Sequence, residues 1–176
     1  MANLLLAVTG SIAAYKAADL ASKLTQAGHT VTVVMTEAAQ RLVGASTFSN
    51  LTGQPVFTDL WDPAVQTRHI AVTDAAELVI VAPATANTIA KLAHGLADDA
   101  VSTTLLAVDC PVLVCPAMNH RMWRHPAVQG NLARLRGFGH TVLEPEAGHL
   151  ACGHTGPGRL PEPPAIVAAA QALLSG

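Results

Sequence analysis

The side chains best suited to bind a ligand lie directly after short apolar runs of the chain. Asn119 follows residues 112–115 and Asn87 follows residues 78–82, and both runs are typical of buried parallel strands. Ligands of open α/β sheets bind beyond the carboxyl ends of such strands, where an amide offers one acceptor and two donors. If Asn119 and Met118 stood alone, a loop packed into the core would explain them better, so the interpretation depends on polar residues elsewhere.

Other strand ends carry groups that suit a mononucleotide. Gly10 and Ser11 join the first strand to its helix, where backbone N–H groups and the helix dipole attract a phosphate, although neither a GxGxxG fingerprint nor a P-loop is present. Thr36 ends the second strand, where a site for the ribose of a dinucleotide would carry Asp or Glu; Thr36 could equally be a plain helix N-cap. Residues 83–88 add further hydroxyls and an amide. Because these strand ends carry no charge, we predict a neutral ring system such as a flavin rather than a polyphosphate.

The composition limits the classes of function. The 176 residues suit one domain, which we assign to residues 1–176, and a net charge of −2 gives no basic surface for nucleic acid. Charged residues make up 12% of the chain, against roughly 25% in a typical soluble domain. Since no apolar run reaches the ~20 residues of a membrane span, we expect no membrane partner, and we expect other subunits to cover part of the apolar surface.

The cysteines and the first residues indicate a cytoplasmic protein. The 3 cysteines are odd in number and differ in setting, which suits a reducing compartment without structural disulfides. Cys110 and Cys115 flank an apolar strand and are predicted to be inert packing thiols. Residues 3–8 lack the basic flank and the cleavage site of a signal peptide.

Alternating strands and helices must position these groups. We predict strands at residues 3–8, 31–35, 78–82, 112–115 and 141–143. Helices are predicted at residues 11–27, from about residue 36, and at 85–94, 98–107, 127–135 and 165–174. Residues 46–66 are expected to hold loop, a short helix and a short strand, and residues 144–164 a long loop rich in Gly and Pro. This alternation predicts an α/β fold with a parallel sheet and helices on both faces.

Five motifs, taken in order, resemble the flavin-containing cysteine decarboxylases. They are VTGSIAAYK at 8–16, His69 with Ile70, PATANT at 83–88, PAMNHRMW at 116–123, and the loop at 151–163. The loop makes the chain similar to the bacterial phosphopantothenoylcysteine decarboxylases of coenzyme A biosynthesis. The resemblance covers nearly the whole chain. It implies a Rossmann-like three-layer, doubly wound sheet of about six parallel strands, FMN as cofactor, and a trimer, or a dodecamer built from trimers, with sites between subunits.

The resemblance also implies a reaction. Losing CO2 directly from a cysteine carboxyl would leave a carbanion with no sink for its charge. Oxidation of the thiol-bearing carbon to a thioaldehyde supplies that sink, and the enethiol that follows is reduced again. The reaction converts 4′-phospho-N-pantothenoylcysteine to 4′-phosphopantetheine without an external reductant, because the flavin carries the electrons.

The same resemblance assigns roles to residues. His69 would be the active-site base, acting on a neighbouring subunit's flavin, and Cys152 the proton donor in the final reduction. Substrate contacts are implied for Asn119, Met122, His149 and Ala151. FMN contacts are implied for Gly10, Ser11, Ile12, Thr36, Thr85, Ala86, Asn87, Thr88 and Met118.

Several alternatives stay open at this point. A peptidyl-cysteine decarboxylase acting on a precursor peptide has the same motifs, but such enzymes tend to lack the loop cysteine. A non-catalytic flavin-binding regulator would carry long acidic or polar extensions. His149, Cys152 and His154 could bind zinc, yet no fourth ligand stands nearby, so we predict no metal. Two features depart from the family pattern: Ser11 replaces a second glycine, and no fused ligase domain follows before residue 176, so a stand-alone enzyme and a piece of a longer protein are both compatible with the sequence.

Overall fold

The computed structural model describes residues 1–61, 68–149 and 155–175. A parallel sheet with strand order β3-β2-β1-β4-β5-β6 forms the centre of the molecule. Its strands are β1 (Asn3–Val8), β2 (Thr30–Met35), β3 (Val56–Phe57), β4 (Leu78–Ala84), β5 (Val112–Pro116) and β6 (Thr141–Val142). The predicted α/β fold with six parallel strands is confirmed.

Helices cover both faces of this sheet. They are α1 (Ala14–Gln26), α2 (Glu37–Gln40), α3 (Ala45–Thr52), α4 (Arg68–Ala75), α5 (Ala86–His94), α6 (Ala100–Leu106), α7 (His120–Arg124), α8 (Pro126–Gly137) and α9 (Pro163–Ser175). Successive strand residues point to opposite faces. Leu4, Leu6 and Val8 of β1 therefore join the core under α1, α3 and α9, while Leu5 and Ala7 join the core under α5, α6 and α8. Burial on both faces explains why the strands read as continuous apolar runs.

The strand order reverses between β1 and β4. The chain moves outward from β1 to β2 and β3, then returns to place β4 on the other side of β1. In doubly wound sheets the carboxyl ends of two such strands flank the ligand crevice. The polar strand ends of the sequence therefore meet where this fold class binds ligands.

Two strands continue further than the sequence predicts. β4 runs through Pro83 to Ala84 and β5 ends at Pro116, although a proline cannot donate to a strand ladder. The register between the two strands shifts between Val81 and Ala84, and the ladder resumes where Ala117 N donates to Ala84 O at 3.0 Å. Because β4 and β5 pair again after this register shift, both strands extend past their predicted ends.

One predicted helix begins later than expected, and two helices were not predicted. α1 begins at Ala14 rather than residue 11, because the residues before it form a turn in which Ser11 N donates to Thr9 O at 2.8 Å. α4 was not predicted, and the backbone of His69 lies in its first turn. α7 was not predicted either; it is a single turn that starts at His120, directly after the capping residue Asn119.

The Gly- and Pro-rich stretch is also more ordered than expected. Its flanks form an antiparallel hairpin of β7 (Glu146–His149) and β8 (Thr155–Arg159), which we call the β7–β8 hairpin. The stretch predicted as a long loop over 144–164 therefore contains two strands that the sequence did not indicate. None of the helices in the described ranges is both long and apolar enough to cross a membrane.

Candidate active site

A cavity of about 560 Å³ opens at the carboxyl edge of the sheet, beside the ends of β1, β2, β4 and β5. Sites for small molecules and cofactors commonly measure roughly 300–1,000 Å³. The residues that line it come from the four strand-to-helix connections, from α2, α5 and α7, and from the capping residue before α6. They are Gly10, Ser11, Thr36, Glu37, Ala38, Thr85, Ala86, Asn87, Thr88, Lys91, Asp99, Ala117, Met118 and Met122. All of the cofactor residues implied by the sequence lie here except Ile12, which is exposed at the turn before α1.

Gly10 allows two of these connections to approach closely. A Cβ added at Gly10 would lie only 2.5 Å from the Cβ of Ala38, so no larger residue fits without a shift of the chain after β2. Buried Thr9 fixes the same turn from the other side. Its Oγ1 donates to Pro83 O at 2.5 Å and accepts from Thr85 N at 3.0 Å. Thr9 thus ties β1 to the end of β4, a contact that the sequence did not reveal.

The threonine hydroxyls at the cavity serve as helix caps. Thr36 Oγ1 accepts from Ala39 N at 3.1 Å and begins α2, which is the capping role that the sequence left open. Thr85 Oγ1 accepts from Thr88 N at 3.3 Å and begins α5. Each side chain also lines the cavity, so capping holds the hydroxyl at the wall of the site.

The cavity wall carries charge, contrary to the sequence-based expectation. Lys91 Nζ lies 2.6 Å from Asp98 Oδ1 and 2.6 Å from Asp99 Oδ2. Burial favours a lower Lys91 pKa, but the hydrogen bonds to both aspartates outweigh it and raise the pKa above its usual 10.5. Burial likewise favours a higher Asp99 pKa, and the hydrogen bonds from Lys91 and Ser102 bring it below 3.8. Glu37 pairs with Arg41, so charges of opposite sign offset one another at this edge.

Asn119 lies next to the cavity rather than in its described lining. Its Oδ1 accepts from Arg121 N at 2.8 Å and caps α7. Met118 and Met122, on either side of it in the sequence, both line the cavity. The cap therefore fixes the amide of Asn119 at the rim of the site.

Comparison with known proteins identifies the family. Residues 1–175 match the sequence model of the family described as Flavoprotein. The chain belongs to the flavoprotein family. The resemblance found in the motifs is thereby confirmed at the level of the family.

This flavoprotein is similar to the coenzyme A biosynthesis bifunctional protein CoaBC of Bacillus subtilis (strain 168). The two are 52% identical over 172 residues, which cover 96% of this chain and 42% of that protein. The chain thus spans well under half of the length of this relative. Two solved structures are also similar: a PPC decarboxylase mutant C175S complexed with pantothenoylaminoethenethiol (TM-score 0.87, 28% identity, 99% of both chains) and the FMN-dependent cysteine decarboxylase SpaF (TM-score 0.85, 32% identity, 100% of this chain and 98% of that one).

Some predicted site residues of this flavoprotein lie outside the described residues. The backbone of His69 is in α4 and that of His149 ends β7, but their side chains are not described. Ala151, Cys152 and His154 lie outside the described residues altogether, which leaves the zinc hypothesis for this cluster untested. Within the described ranges, no group of three or more His, Cys, Asp or Glu could hold a metal ion.

The remaining cysteines of this flavoprotein lie in or beside the core. Cys115 is fully buried in β5, and burial raises the pKa of its thiol well above the usual range. Burial also raises the pKa of Cys110, which packs at the edge of the core. Both thiols are therefore protonated at neutral pH, and their prediction as packing residues is confirmed.

Proposed function

We propose that this chain holds FMN and decarboxylates 4′-phospho-N-pantothenoylcysteine to 4′-phosphopantetheine in coenzyme A biosynthesis. The observation that carries the proposal is the cavity at the β1/β4 switch point, lined by most of the motif residues that suit a flavin. The similarity to CoaBC along nearly the whole chain supports this substrate. The likeness to a PPC decarboxylase structure supports the same chemistry.

The residues of the cavity fit FMN. The turn at Gly10 and Ser11 precedes α1, a helix of 13 residues, and so suits the phosphate. The Asn87 amide and the Thr88 hydroxyl offer donors and acceptors to a flavin ring, while Met118 offers an apolar contact. Of Lys91 and its two aspartates, only Lys91 and Asp99 line the cavity, and their opposite charges offset one another, which suits a neutral ring.

Bound FMN would supply reversible two-electron oxidation of the substrate thiol, which makes the loss of CO2 possible. The chain's own residues orient the substrate and move protons. We assign His69 as the base that assists the oxidation. We assign the Nδ2 donor of Asn119 to the substrate carboxylate, since its Oδ1 is held by the cap and a carboxylate only accepts. Met122, exposed at the cavity wall, packs beside the substrate.

The second half of the reaction is assigned to the segment between β7 and β8. Cys152 would supply the proton that, together with a hydride from the reduced cofactor, converts the enethiol to the saturated product. His149 and Ala151, which lie near it in the sequence, are assigned to substrate contacts. These roles rest on the motif alone.

We further propose that the chain works as a trimer, or as a dodecamer of trimers. Three large apolar side chains near the sheet edge are mostly exposed: Ile12 at 67%, Tyr15 at 64% and Trp61 at 79%. Such exposure in a chain with 12% charged residues favours a protein partner. A stable monomer of 18.1 kDa in sedimentation at micromolar concentration would contradict this arrangement.

The test of the function uses His69→Asn and Asn119→Asp. Both variants should lose CO2 release from the phosphopantothenoylcysteine substrate while they keep FMN. Asp is as good an N-cap as Asn, so the second variant keeps the start of α7 and adds a charge that repels the substrate carboxylate. His94→Asn and Asn131→Asp are matched controls. His94 Nε2 and Asn131 Oδ1 form an exposed hydrogen bond of 3.0 Å, and neither residue lines the cavity. Near-normal CO2 release by either site variant would remove the role assigned to that residue.

A cysteine-ended peptide tests the alternative substrate. The proposal predicts rapid CO2 release from phosphopantothenoylcysteine and little from the peptide. The reverse preference would make the chain a peptidyl-cysteine decarboxylase. Binding of FMN without CO2 release from either substrate would favour the non-catalytic flavin-binding regulator.

A further inference from the structure

A cluster of charged groups joins the base of the β7–β8 hairpin to α1, outside the cavity. Lys16 Nζ lies 2.7 Å from Glu162 Oε1 and donates to Leu160 O at 3.4 Å. Arg159 Nη2 lies 3.2 Å from the same Glu162 oxygen. The backbone N of Glu162 donates to Glu146 Oε1 at 3.2 Å. One lysine of α1 thus reaches the segment after β8, and that segment in turn contacts β7.

The setting of Lys16 makes this contact stronger than an ordinary surface pair. The Lys16 side chain is only 12% exposed, whereas Lys23, on the same helix, is 41% exposed in its pair with Asp19. The hydrogen bond from Lys16, ahead of the opposing effect of burial, holds the pKa of Glu162 below its usual 4.5. The Glu162 carboxylate is therefore charged at neutral pH. Glu162 is 51% exposed, so only the Lys16 side of the pair is sheltered, and water screens it less than a pair with two fully exposed partners.

Backbone contacts attach the hairpin on its other side. Met118 N donates to Gly158 O at 3.0 Å. A Cβ on Gly158 would lie 2.2 Å from Met118 O, and one on Gly156 would lie 3.1 Å from the Cβ of His120. The backbone of β8 therefore lies directly against the connection between β5 and α7, which carries the cavity residues Met118 and Met122.

Lys16 links the hairpin to the first turn of α1, while Met118 links it to the connection after β5. Lys16 itself lies directly after the turn that brings Gly10 and Ser11 to the cavity. β8 contacts the connection after β5, and Glu162 follows β8 by three residues. The ion pair thus sets the position of the hairpin relative to two walls of the cavity at once.

We propose that Lys16 is a positioning residue for the second half of the reaction. Through Glu162 and the Leu160 carbonyl, it fixes β7 and β8, the strands between which Cys152 lies in the sequence. This proposal rests on the proposed function for its chemical consequence, whereas its structural part does not. Lys16 ends the first of the five motifs and Glu162 lies in the last, so the ion pair gives a physical reason for the two to occur together.

Hydrogen exchange of the holoenzyme tests the structural part. In Lys16→Met and in Glu162→Gln, amides of residues 146–149 and 155–159 should exchange about tenfold faster, the change expected from the loss of one charge-assisted hydrogen bond. Lys23→Met is the matched control, since it removes an exposed lysine pair of the same helix and should leave the hairpin unchanged. Unchanged exchange in Glu162→Gln would overturn the proposal even if Lys16→Met failed to fold.

The products formed from phosphopantothenoylcysteine test the chemical part. In a single turnover, Lys16→Met should keep its FMN and release CO2 near the wild-type rate, while the ratio of enethiol to saturated thiol rises about tenfold and each enethiol leaves its two electrons on the cofactor. A merely structural defect would lower both products together. An unchanged product ratio in a variant whose hairpin exchanges faster would overturn the positioning role. If the wild-type chain itself released no CO2, the proposed function would fail, while the exchange result would still decide whether Lys16 holds the hairpin.

Discussion

The cavity edge of the sheet and the β7–β8 hairpin are held in place by different means. At the edge, β1, β4 and β5 are buried on both faces, and side-chain caps from Thr36, Thr85 and Asn119 begin the helices that follow β2, β4 and β5. The hairpin strands are short and rich in glycine. They are attached to the rest of the chain by a backbone hydrogen bond to Met118 and by ion pairs.

This difference divides the proposed chemistry. A cofactor that must stay bound throughout the reaction suits the edge, where any opening would break the core. A segment that acts only after CO2 has left suits the hairpin, because elements with few buried contacts open without global unfolding. Changes at the edge should therefore affect every step, and changes at the hairpin only the last one.

The largest effect is expected for Gly10→Ala. The added Cβ meets the Cβ of Ala38 at 2.5 Å, and overpacking of this kind costs about 1–3 kcal/mol. We expect the variant to lose most of its FMN, which absorbance of the purified protein would show. Gly130→Ala is the control, since Gly130 lies inside α8 and an added Cβ meets no described atom within 4 Å. This variant should keep its FMN, and its free energy of unfolding should rise by about 0.5–1 kcal/mol. Equal FMN content in both variants would remove the special role of the turn.

A smaller and more local effect is expected for Gly158→Ala. Its Cβ would lie 2.2 Å from Met118 O, and its φ of +138° is one that other residues rarely adopt. The hairpin should detach while FMN stays bound, which hydrogen exchange and absorbance would show together. Gly139→Ala shares the positive φ, at +89°, but its Cβ meets nothing described within 4 Å. If Gly139→Ala exposed the hairpin as much as Gly158→Ala does, the contact with Met118 would not be the cause.

The strands at the cavity edge of the sheet could be predicted well, because the residues of each strand alone indicate that it is a buried strand. A run such as residues 78–82 is apolar over its whole length, and the polar residues after it must lie at the carboxyl edge of a parallel sheet. The charged part of the wall could not be predicted in this way. Lys91 belongs to α5 and Asp99 to the start of α6, and only the turn between the helices brings their side chains to 2.6 Å.

The hairpin was missed for a related reason. Gly156, Pro157 and Gly158 have low strand propensity, so nothing local favours β8. The strand forms because glycine alone permits the backbone to lie against Met118 and His120. Likewise α7 depends on the cap supplied by Asn119, a residue that the sequence had assigned only to the substrate.

A single chemical step should be lost in Cys152→Ser. In air, which reoxidises the flavin left reduced by each released enethiol, CO2 release should continue slowly, because the oxidation and the decarboxylation precede the step assigned to this thiol. Mass spectrometry should then show a product two hydrogens lighter than 4′-phosphopantetheine. Cys110→Ser is the control, since burial keeps that thiol protonated, and it should form the saturated product. Saturated product at the normal rate from Cys152→Ser would make Cys152 a bystander and favour the peptide alternative.

The smallest effect concerns the pH dependence of stability at the cavity wall. The pKa of Asp99 lies below 3.8 in the folded chain, so its contribution is present above that pH and is lost as the pH falls through the folded pKa. Asp99→Asn should therefore unfold at a lower temperature than the wild type at pH 7, and the difference should shrink below pH 3.8. Asp109→Asn, an exposed control, should show no such pattern. A difference that stayed constant with pH would show that the carboxylate charge is not what stabilises this wall.

The mass of the product made from phosphopantothenoylcysteine by the purified chain tests the central claim most directly. We predict a yellow protein that releases FMN on denaturation and a product lighter than its substrate by one CO2 alone. A product that also lacks two hydrogens would show that the chain stops at the enethiol. The absence of CO2 release from FMN-loaded protein would contradict the proposed function itself.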